Sequence, residues 1–598
     1  MIVVDFETEA IEPRPKYPPL PVGVAIQKPG RKPEYLAWGH PVENNTTMEK
    51  AGLILQGIWR SGQPLLFHNA KFDLDVAREH FGLAVPPWDQ FHDTMFLLYL
   101  LDPHADTISL KPAAERWLGM KPDEQDAVRQ WLVEHKVIPS NKKGGGAFIS
   151  KAPPSIVGPY ALGDVDRTMK LYQALYPKLD EGMRKAYDRE RKLLPILLDN
   201  EKEGIRVDVA ALETDLAQYE QALVSCDRWL RGRLGNDSLN LDADAEVSAA
   251  LKSSGIVTRF VQTPTGRDSV SKKNLSEGLF TDPQVYRALG YRNRLQSVLA
   301  NSMRPWLDHA RNNEGYIHTE WNQVRSTDMG AGKGTRTGRL SCSRFQNISK
   351  AWEGFVYPTG LDLPGLPLVR RYLLPDRGDK FIHRDYNQQE FRILAHFENE
   401  ALLAAYQKDP RIDYHIKMKE LIHAVAGLNL ERRQVKTLNF GINYGMGVGK
   451  LAAGLGVDVE TARTLRDAQK RAVPGVARLD RELKRRGKAG EPIRTWGGRL
   501  YYCEKPKLID GRMRSFEYKL LDYLIQGSGA DGIKEAIIRY HQHPKKAGRF
   551  LVTVHDEINV SARSVYESKV LAEAMESIEF DVPMLTDGKV GPNWGEIK

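Results

Sequence analysis

Residues Glu431 to Gly447 read ERRQVKTLNFGINYGMG, and Arg432, Lys436, Phe440 and Tyr444 recur there every four residues. In an α-helix each such step advances about 400°, a net drift of about 40°, so the four side chains form a stripe about 120° wide. The stripe opens with two cations and closes with two aromatics. A helix N-terminus already carries partial positive charge. Arg432 and Lys436 placed there suit a triphosphate, while Phe440 and Tyr444 suit stacking on a base or sugar. Gly441 and Gly445 leave room beside the aromatics at some cost in helix stability. An amphipathic core helix would bury its aromatics in the same way; the two cations favour a ligand-binding face.

Working outward, two sets of carboxylates flank this helix along the chain. Asp385 ends the apolar, β-rich run FIHRD, and Asp556 lies between LVTV and INV, a pattern that predicts a hairpin with HD at its turn. Two acids at strand ends from distant parts of a chain can hold two cations about 3.5–4 Å apart, as in-line phosphoryl transfer requires. Taken alone, HDE reads as a solvated hairpin tip. The N-terminal set is richer. Asp5 and Glu7, two apart on a predicted strand, leave the same face. Asp73 follows in HNAKFD, and Tyr160 and Asp164 in YALGD share one helical face. Any one of these acids is more often a cap or a surface charge. Together they can build a hard-oxygen site for Mg²⁺ or Mn²⁺.

The chain has 598 residues, room for roughly four domains. Its 41% hydrophobic and 27% charged residues, with 50 Gly and 34 Pro, exclude disordered and fibrous classes. No apolar run approaches the roughly 20 residues of a membrane span, and MIVVDFETEA lacks a signal-peptide layout. Three scattered Cys exclude a disulfide framework and a Cys-based zinc site. The expectation is a soluble, cytoplasmic protein. The net charge of +9 fits a polyanionic partner. Strand and helix patterns alternate to about residue 180, and a helical stretch then reaches about residue 311. Strands return at LVRRYLLP and KFIHRD, helices fill 390–488, and the tail mixes both. The Gly-rich stretches NKKGGGAF (141–148) and GAGKGTRTG (330–338) read as loops; the second lacks the spacing of a phosphate-binding loop.

The 432–444 run resembles the fingers helix of family A DNA polymerases, R-x-x-x-K-x-x-x-F-G-x-x-Y-G. Other segments agree in order: TGRLS (337–341) and QN (346–347), DYNQQEFR (385–392), DYH (413–415), QGSGAD (526–531) and VHDE (554–557). Upstream, DFE, NAKFD and YALGD resemble the three motifs of proofreading 3′–5′ exonucleases of the DEDD type with a tyrosine in the third. The helix DTMFLLYLLDP also matches, without making Asp93 catalytic. This resemblance implies a multidomain α/β and α+β chain. An RNase H-like exonuclease domain (1–182) would precede a right-hand polymerase with thumb (183–320), palm (321–395 and 501–598) and fingers (396–500). The compact layout resembles phage replicative enzymes more than bacterial repair ones, and with so little chain before Asp5 no 5′-nuclease domain is expected.

The resemblance also implies roles. Asp385, Asp556 and the Tyr386 carbonyl would hold two Mg²⁺ for synthesis. Asp5, Glu7, Asp73 and Asp164 would hold two for proofreading, with Tyr160 orienting the attacking water. Arg432, Lys436 and His415 would bind phosphates, Phe440 and Tyr444 the sugar and base, and Gln388 would lie beside the nucleotide. Glu390 would crowd a ribose 2′-hydroxyl. Arg339, Gln346, Asn347, Gln526 and His555 would contact primer-template DNA, and the helical thumb would grip duplex phosphates. dNTPs are the implied substrates of a monomer with no membrane association. Two departures stand out: NQQEF is more polar than the bacterial first motif, and Tyr518 and Asp522 replace an expected Arg and Asn. A single-subunit RNA polymerase is disfavoured by Glu390 and the exonuclease motifs. A nuclease with an inactive C-terminal half, or an accessory protein, would have lost ligands that are all present.

Overall fold

Strands β1 (Ile2–Thr8) and β2 (Pro21–Gln27) are almost wholly buried, so their sheet must be covered on both faces. With β3 (Glu34–Ala37), β4 (Leu65–Phe67) and β5 (Phe91–Asp93) they form a five-stranded sheet of order β3–β2–β1–β4–β5. Pairing is antiparallel through β1, β2 and β3, and parallel through β1, β4 and β5. Alternation along β1 divides its residues between two cores. Ile2, Val4 and Phe6 pack with Leu74 and Ala77 of helix α1 (Ala70–Phe81), while Val3 packs with Val157, Ala161 and Val165 of α2 (Pro154–Leu175). Asp5 and Glu7 share the parity of Val3 and face α2.

The computed structural model describes residues 1–121, 123–141, 145–263, 265–271, 274–325, 334–346, 348–352, 354–443, 445–509 and 511–598, the side chains of 123–126, 425–426 and 442–443 excepted. Asn347, Tyr444 and part of each Gly-rich stretch lie outside the described residues.

Helix α3 (Glu181–Glu203) joins the two halves. Asp180 caps its start by accepting the Met183 N–H at 2.9 Å, and Gly204, at φ +69°, ends it. Its flanks are buried on opposite sides. Tyr187, Leu194 and Leu198 belong to the N-terminal core, and Leu193, Ile196 and Leu197 to the larger C-terminal one. At its middle, Glu190 and Lys534 form an ion pair at 2.5 Å with both side chains 1% exposed. Beyond it, helices Val209–Leu234, Pro283–Val298 and Arg304–Asn312 make up the region expected as thumb.

The second sheet is antiparallel, of order β7–β8–β6–β9, from β6 (Lys380–Tyr386), β7 (Arg549–Val554), β8 (Glu557–Ala562) and β9 (Thr586–Gly591). Helices α4 (Gln389–Glu398), α5 (Tyr414–Ala426) and α6 (Arg432–Asn443) follow β6, and the long α7 (Leu520–Gln542) precedes β7. One expectation fails. LVRRYLLP, β-rich in composition, forms a 3-10 turn at Val369–Tyr372 and only a two-residue strand, Leu373–Leu374. There the buried Arg370 guanidinium reaches Glu557 and lies 4.0 Å over the Trp594 ring. No described helix is long and apolar enough to cross a membrane.

Candidate active sites

In the N-terminal domain, ligand oxygens of Asp5, Glu7 and Asp164 lie within 4.8 Å of one another. The strand supplies the first two, and α2 brings Asp164 with Tyr160 one turn before it. Asp73 stands at the edge of this group: its Oδ1 accepts the Phe6 N–H at 2.9 Å, which ties α1 to β1. Burial first, and neighbouring carboxylates second, raise all three of Asp5, Glu7 and Asp73, Asp5 to about 7. Asp93 instead caps the helix Thr94–Leu101, accepting the N–H groups of Met95, Ala70 and Asn69. A cap is a sufficient reason for that acid.

Lys111 went unnoticed in the sequence. Its Nζ donates to Asp164 Oδ2 at 2.6 Å and lies 3.6 Å from the centroid of the Tyr160 ring, with its side chain 10% exposed. On a helix reading LKPAAERWL, one lysine carries no signal. Only the fold places it among the acids.

In the C-terminal half, β6 and the β7–β8 hairpin bring Asp385 and Asp556 together. Asp385 pairs in register with Glu557, and the Tyr386 N–H donates to the Asp556 carbonyl at 3.2 Å. The charge of Asp385 is the neighbouring charge that acts most on the Asp556 carboxyl. Val554 pairs directly with Glu557, so His555 and Asp556 form a two-residue turn, with His555 at φ +60°. That conformation costs a non-glycine residue about 1–3 kcal/mol and persists only where its surroundings impose it. Burial and the Asp385 charge push Asp556 up to about 8, and burial likewise raises Asp385. Glu557 is the opposite case. Burial works against its charge, but Arg370 at 3.0 Å and Lys350 at 2.8 Å outweigh it and hold the carboxyl below its usual range.

Both sets bring together carboxylates of the kind that hold divalent cations, although Asp556 falls outside the C-terminal group whose ligand atoms lie within 4.8 Å of one another. Asp385 Oδ1 is buried with no hydrogen-bond partner, and Asp385, Glu557 and His383 place ligand atoms within 4.8 Å of one another. Crowded carboxylates that burial drives toward protonation are what a hard cation would relieve.

The cationic end of α6 stands as the four-residue spacing predicts. Arg432 donates to Asp413 Oδ2 at 2.7 and 3.0 Å, and Lys436 is exposed. Asp413 in turn caps α5 by accepting the His415 and Ile416 N–H groups. Phe440 packs edge-on to Phe391 at 5.2 Å. His415 lies beneath the stripe: its ring is buried, bonds Asn439 at 3.0 Å, and burial pushes it down to about 4. Gln388 spends its side-chain carbonyl on the Tyr414 N–H and the Tyr406 hydroxyl, at 3.0 and 3.2 Å. Arg339 bonds Glu390 at 2.8 Å, and Gln526 donates to Asp522 at 2.7 Å. Gln346 lines a cleft of about 1160 Å³ with Arg287, Asn293, Arg294, Asn301 and Arg344. The cleft residues from the region expected as thumb, Arg287, Asn293, Arg294 and Asn301, were not singled out in the sequence.

These two carboxylate sites, with a cationic helix beside the second, agree with what comparison finds. The family described as DNA polymerase family A matches residues 210–596, and a 3'-5' exonuclease model matches residues 1–180. The chain belongs to DNA polymerase family A, with an N-terminal domain of the 3′–5′ exonuclease type. It is 27% identical to a "DNA polymerase I" of Chloroflexus aurantiacus, over 99% of this chain and 61% of that one. It is 26% identical to a "DNA-directed DNA polymerase" of Pseudomonas phage M6, over 88% of this chain and 82% of that one. The chain thus spans about 61% of the bacterial relative and more of the phage one. The fold is shared with the "POL domain of Pol1 from M. smegmatis complex with DNA primer-template and dNTP", at TM-score 0.76 and 20% identity, over 99% of this chain and 95% of that one.

Proposed function

We propose that this chain extends a primer 3′ end on a DNA template with dNTPs, and excises mispaired 3′ ends at its N-terminal site. The observation that carries the reading is the meeting of Asp385 and Asp556 across β6 and the β7–β8 turn, with Arg432 and Lys436 on a helix of the same half.

In the synthesis site, Asp385, Asp556 and the Tyr386 carbonyl would hold Mg²⁺ or Mn²⁺; Asp5, Glu7, Asp73 and Asp164 would do so for excision. Such ions, two per site, neutralise phosphate charge and acidify the attacking hydroxyl or water. The remaining work falls to the chain itself. Arg432 and Lys436 bind triphosphate oxygens, and His415 supports that surface from beneath. Phe440, braced by Phe391, packs against the sugar, and Glu390 crowds its 2′ position. Gln388 fixes the start of α5 through its side-chain carbonyl and lies beside the nucleotide. Arg339 and Gln526 reach minor-groove acceptors common to all correct pairs, which tests shape rather than sequence. His555 and Gln346 lie on the same DNA path, and the 183–320 region grips duplex phosphates. At the other site Tyr160, its ring against Lys111, orients the attacking water. The protein acts as a monomer in the cytoplasm.

Primer extension in Mg²⁺ on templates that differ in one base tests this. Incorporation should follow the template base, and primer-template binding should weaken steeply with salt. Incorporation that ignores the template, or is absent, would overturn the reading.

A further inference from the structure

Between Tyr501 and α7 the chain projects a two-stranded ribbon, Lys507–Ile509 paired with Arg512–Arg514, which neither site above employs. Its register pairs Leu508 with Met513, Lys507 with Arg514 and Ile509 with Arg512. Directly opposed residues share a face and successive residues alternate. One face is therefore Leu508 and Met513, and the other carries Lys507, Arg512 and Arg514 with Ile509 among them. Leu508 is 69% exposed and Met513 66%, among the most exposed large apolar side chains described. Lys507 and Arg512 are exposed as well.

An isolated two-stranded ribbon is marginal in water, but this one has a rigid root. The Glu504 side chain, 8% exposed, accepts from Arg336 at 2.6 Å, Lys519 at 2.9 Å and Tyr523 at 3.0 Å. Those partners place the root. Arg336 adjoins the 337–341 segment, and Tyr523 precedes Gln526 by three residues on α7. Tyr518, just beyond the ribbon, lies against Gly445 so closely that a Cβ there would come within 2.9 Å of its ring. The ribbon thus leaves the body beside the C-terminal end of α6, near the residues proposed to meet the template.

We infer that this ribbon is a strand-separating wedge for the DNA duplex ahead of the primer. Its Leu508–Met513 face stacks on the first closed base pair, and its Lys507–Arg512 face holds the phosphates of the displaced strand. Charge complementarity and the position beside the proposed template path select the occupant: an apolar blade with a largely cationic back matches a base pair with its phosphate backbone. The inference rests on the DNA-synthesis reading.

The test compares wild type, Leu508→Asp/Met513→Asp and Lys507→Glu/Arg512→Glu. Each extends one primer on an open single-stranded template, and one on a template blocked by a downstream oligonucleotide. 2-Aminopurine at the first downstream pair reports opening before any dNTP is added. All four positions are exposed, and matching unfolding midpoints confirm intact folds. Wild type should open the blocked template and brighten the probe. Both variants should displace about tenfold more slowly, equivalent to about 1.4 kcal/mol, and leave the probe dim, with open-template extension within about twofold of wild type. Wild type that stalls at the block, variants that displace normally, or variants that lose both activities equally would overturn the wedge. Failure of wild type on the open template would overturn the synthesis reading, and the wedge with it.

Discussion

Arg339 donates from Nη2 to Oε1 of Glu390 at 2.8 Å, which joins the residue proposed to read the minor groove to the one proposed to crowd the ribose. Asp522 stands in the same cluster, raised to about 6 by burial and then by the Glu390 charge. On the proposed roles, sugar choice and base-pair shape would be sensed by one connected set of polar groups.

Replacing Glu390 should disturb both senses. Glu390→Ala opens the space at the 2′ position and frees Arg339. The preference for dNTP over rNTP should fall by roughly 10- to 200-fold, the range that small steric differences in a pocket provide. Single-turnover incorporation of matched dNTP and rNTP pairs measures it, and an unchanged ratio would remove Glu390 from this role.

Lys111 should matter for excision alone. Lys111→Met removes the cation that bonds Asp164 and faces Tyr160, and should slow excision from a single-stranded oligonucleotide by about tenfold or more. Lys111→Arg should recover part of that rate. Primer extension should be unaffected in both, because the site at Asp385 lies on another sheet.

The metal-free protein should lose stability as pH rises. Asp556 and Asp5 are raised to about 8 and about 7, mainly by burial, from an ordinary value of 3.8. From roughly pH 6.5 to 8 the folded chain therefore holds protons that the unfolded chain has released, so stability declines with rising pH across that window; below it His68, His92, His309 and His415, lowered by burial, titrate with the opposite sign. In chelator, the calorimetric unfolding midpoint should drop from about pH 6.5 to about pH 8. Mg²⁺ should restore it at the upper end only, and Asp556→Asn should flatten part of the decline. A midpoint that rises over the window would contradict the burial argument.

The joint between the two halves is exposed to a single change. Lys534→Met would leave Glu190 buried with Gln323 as its remaining side-chain donor, at 2.8 Å. Stranding a buried charge typically costs about 3–5 kcal/mol. Adding Glu190→Gln should recover much of the loss, as calorimetry of the single and double variants will read.

Much of this architecture was legible because period and parity are local. Asp5 and Glu7 fall on one face of a strand by counting, and Tyr160 with Asp164 on one face of a helix. The HD turn is readable from the apolar runs on each side. What escaped was long-range. Lys111, Lys350 and Arg370 look like ordinary surface cations until the fold sets them against Asp164 and Glu557. Arg370 also explains the misread strand, since composition favours β at LVRRYLLP but its contacts to Glu557 and Trp594 accompany a 3-10 turn. His415 and Gln388 stand near the expected nucleotide surface, yet His415 Nδ1 is bonded to Asn439 and the Gln388 carbonyl to Tyr406 and Tyr414, which no motif spacing reveals.

The most direct measurement is a paired assay of extension and mismatch excision in wild type, Asp556→Ala and Asp5→Ala, with folding checked for each. Asp556→Ala should abolish extension and spare excision, and Asp5→Ala should do the reverse. A folded variant that loses both activities together, or an Asp556→Ala protein that still extends primers, would contradict two separate carboxylate sites with Asp385 and Asp556 at the centre of synthesis.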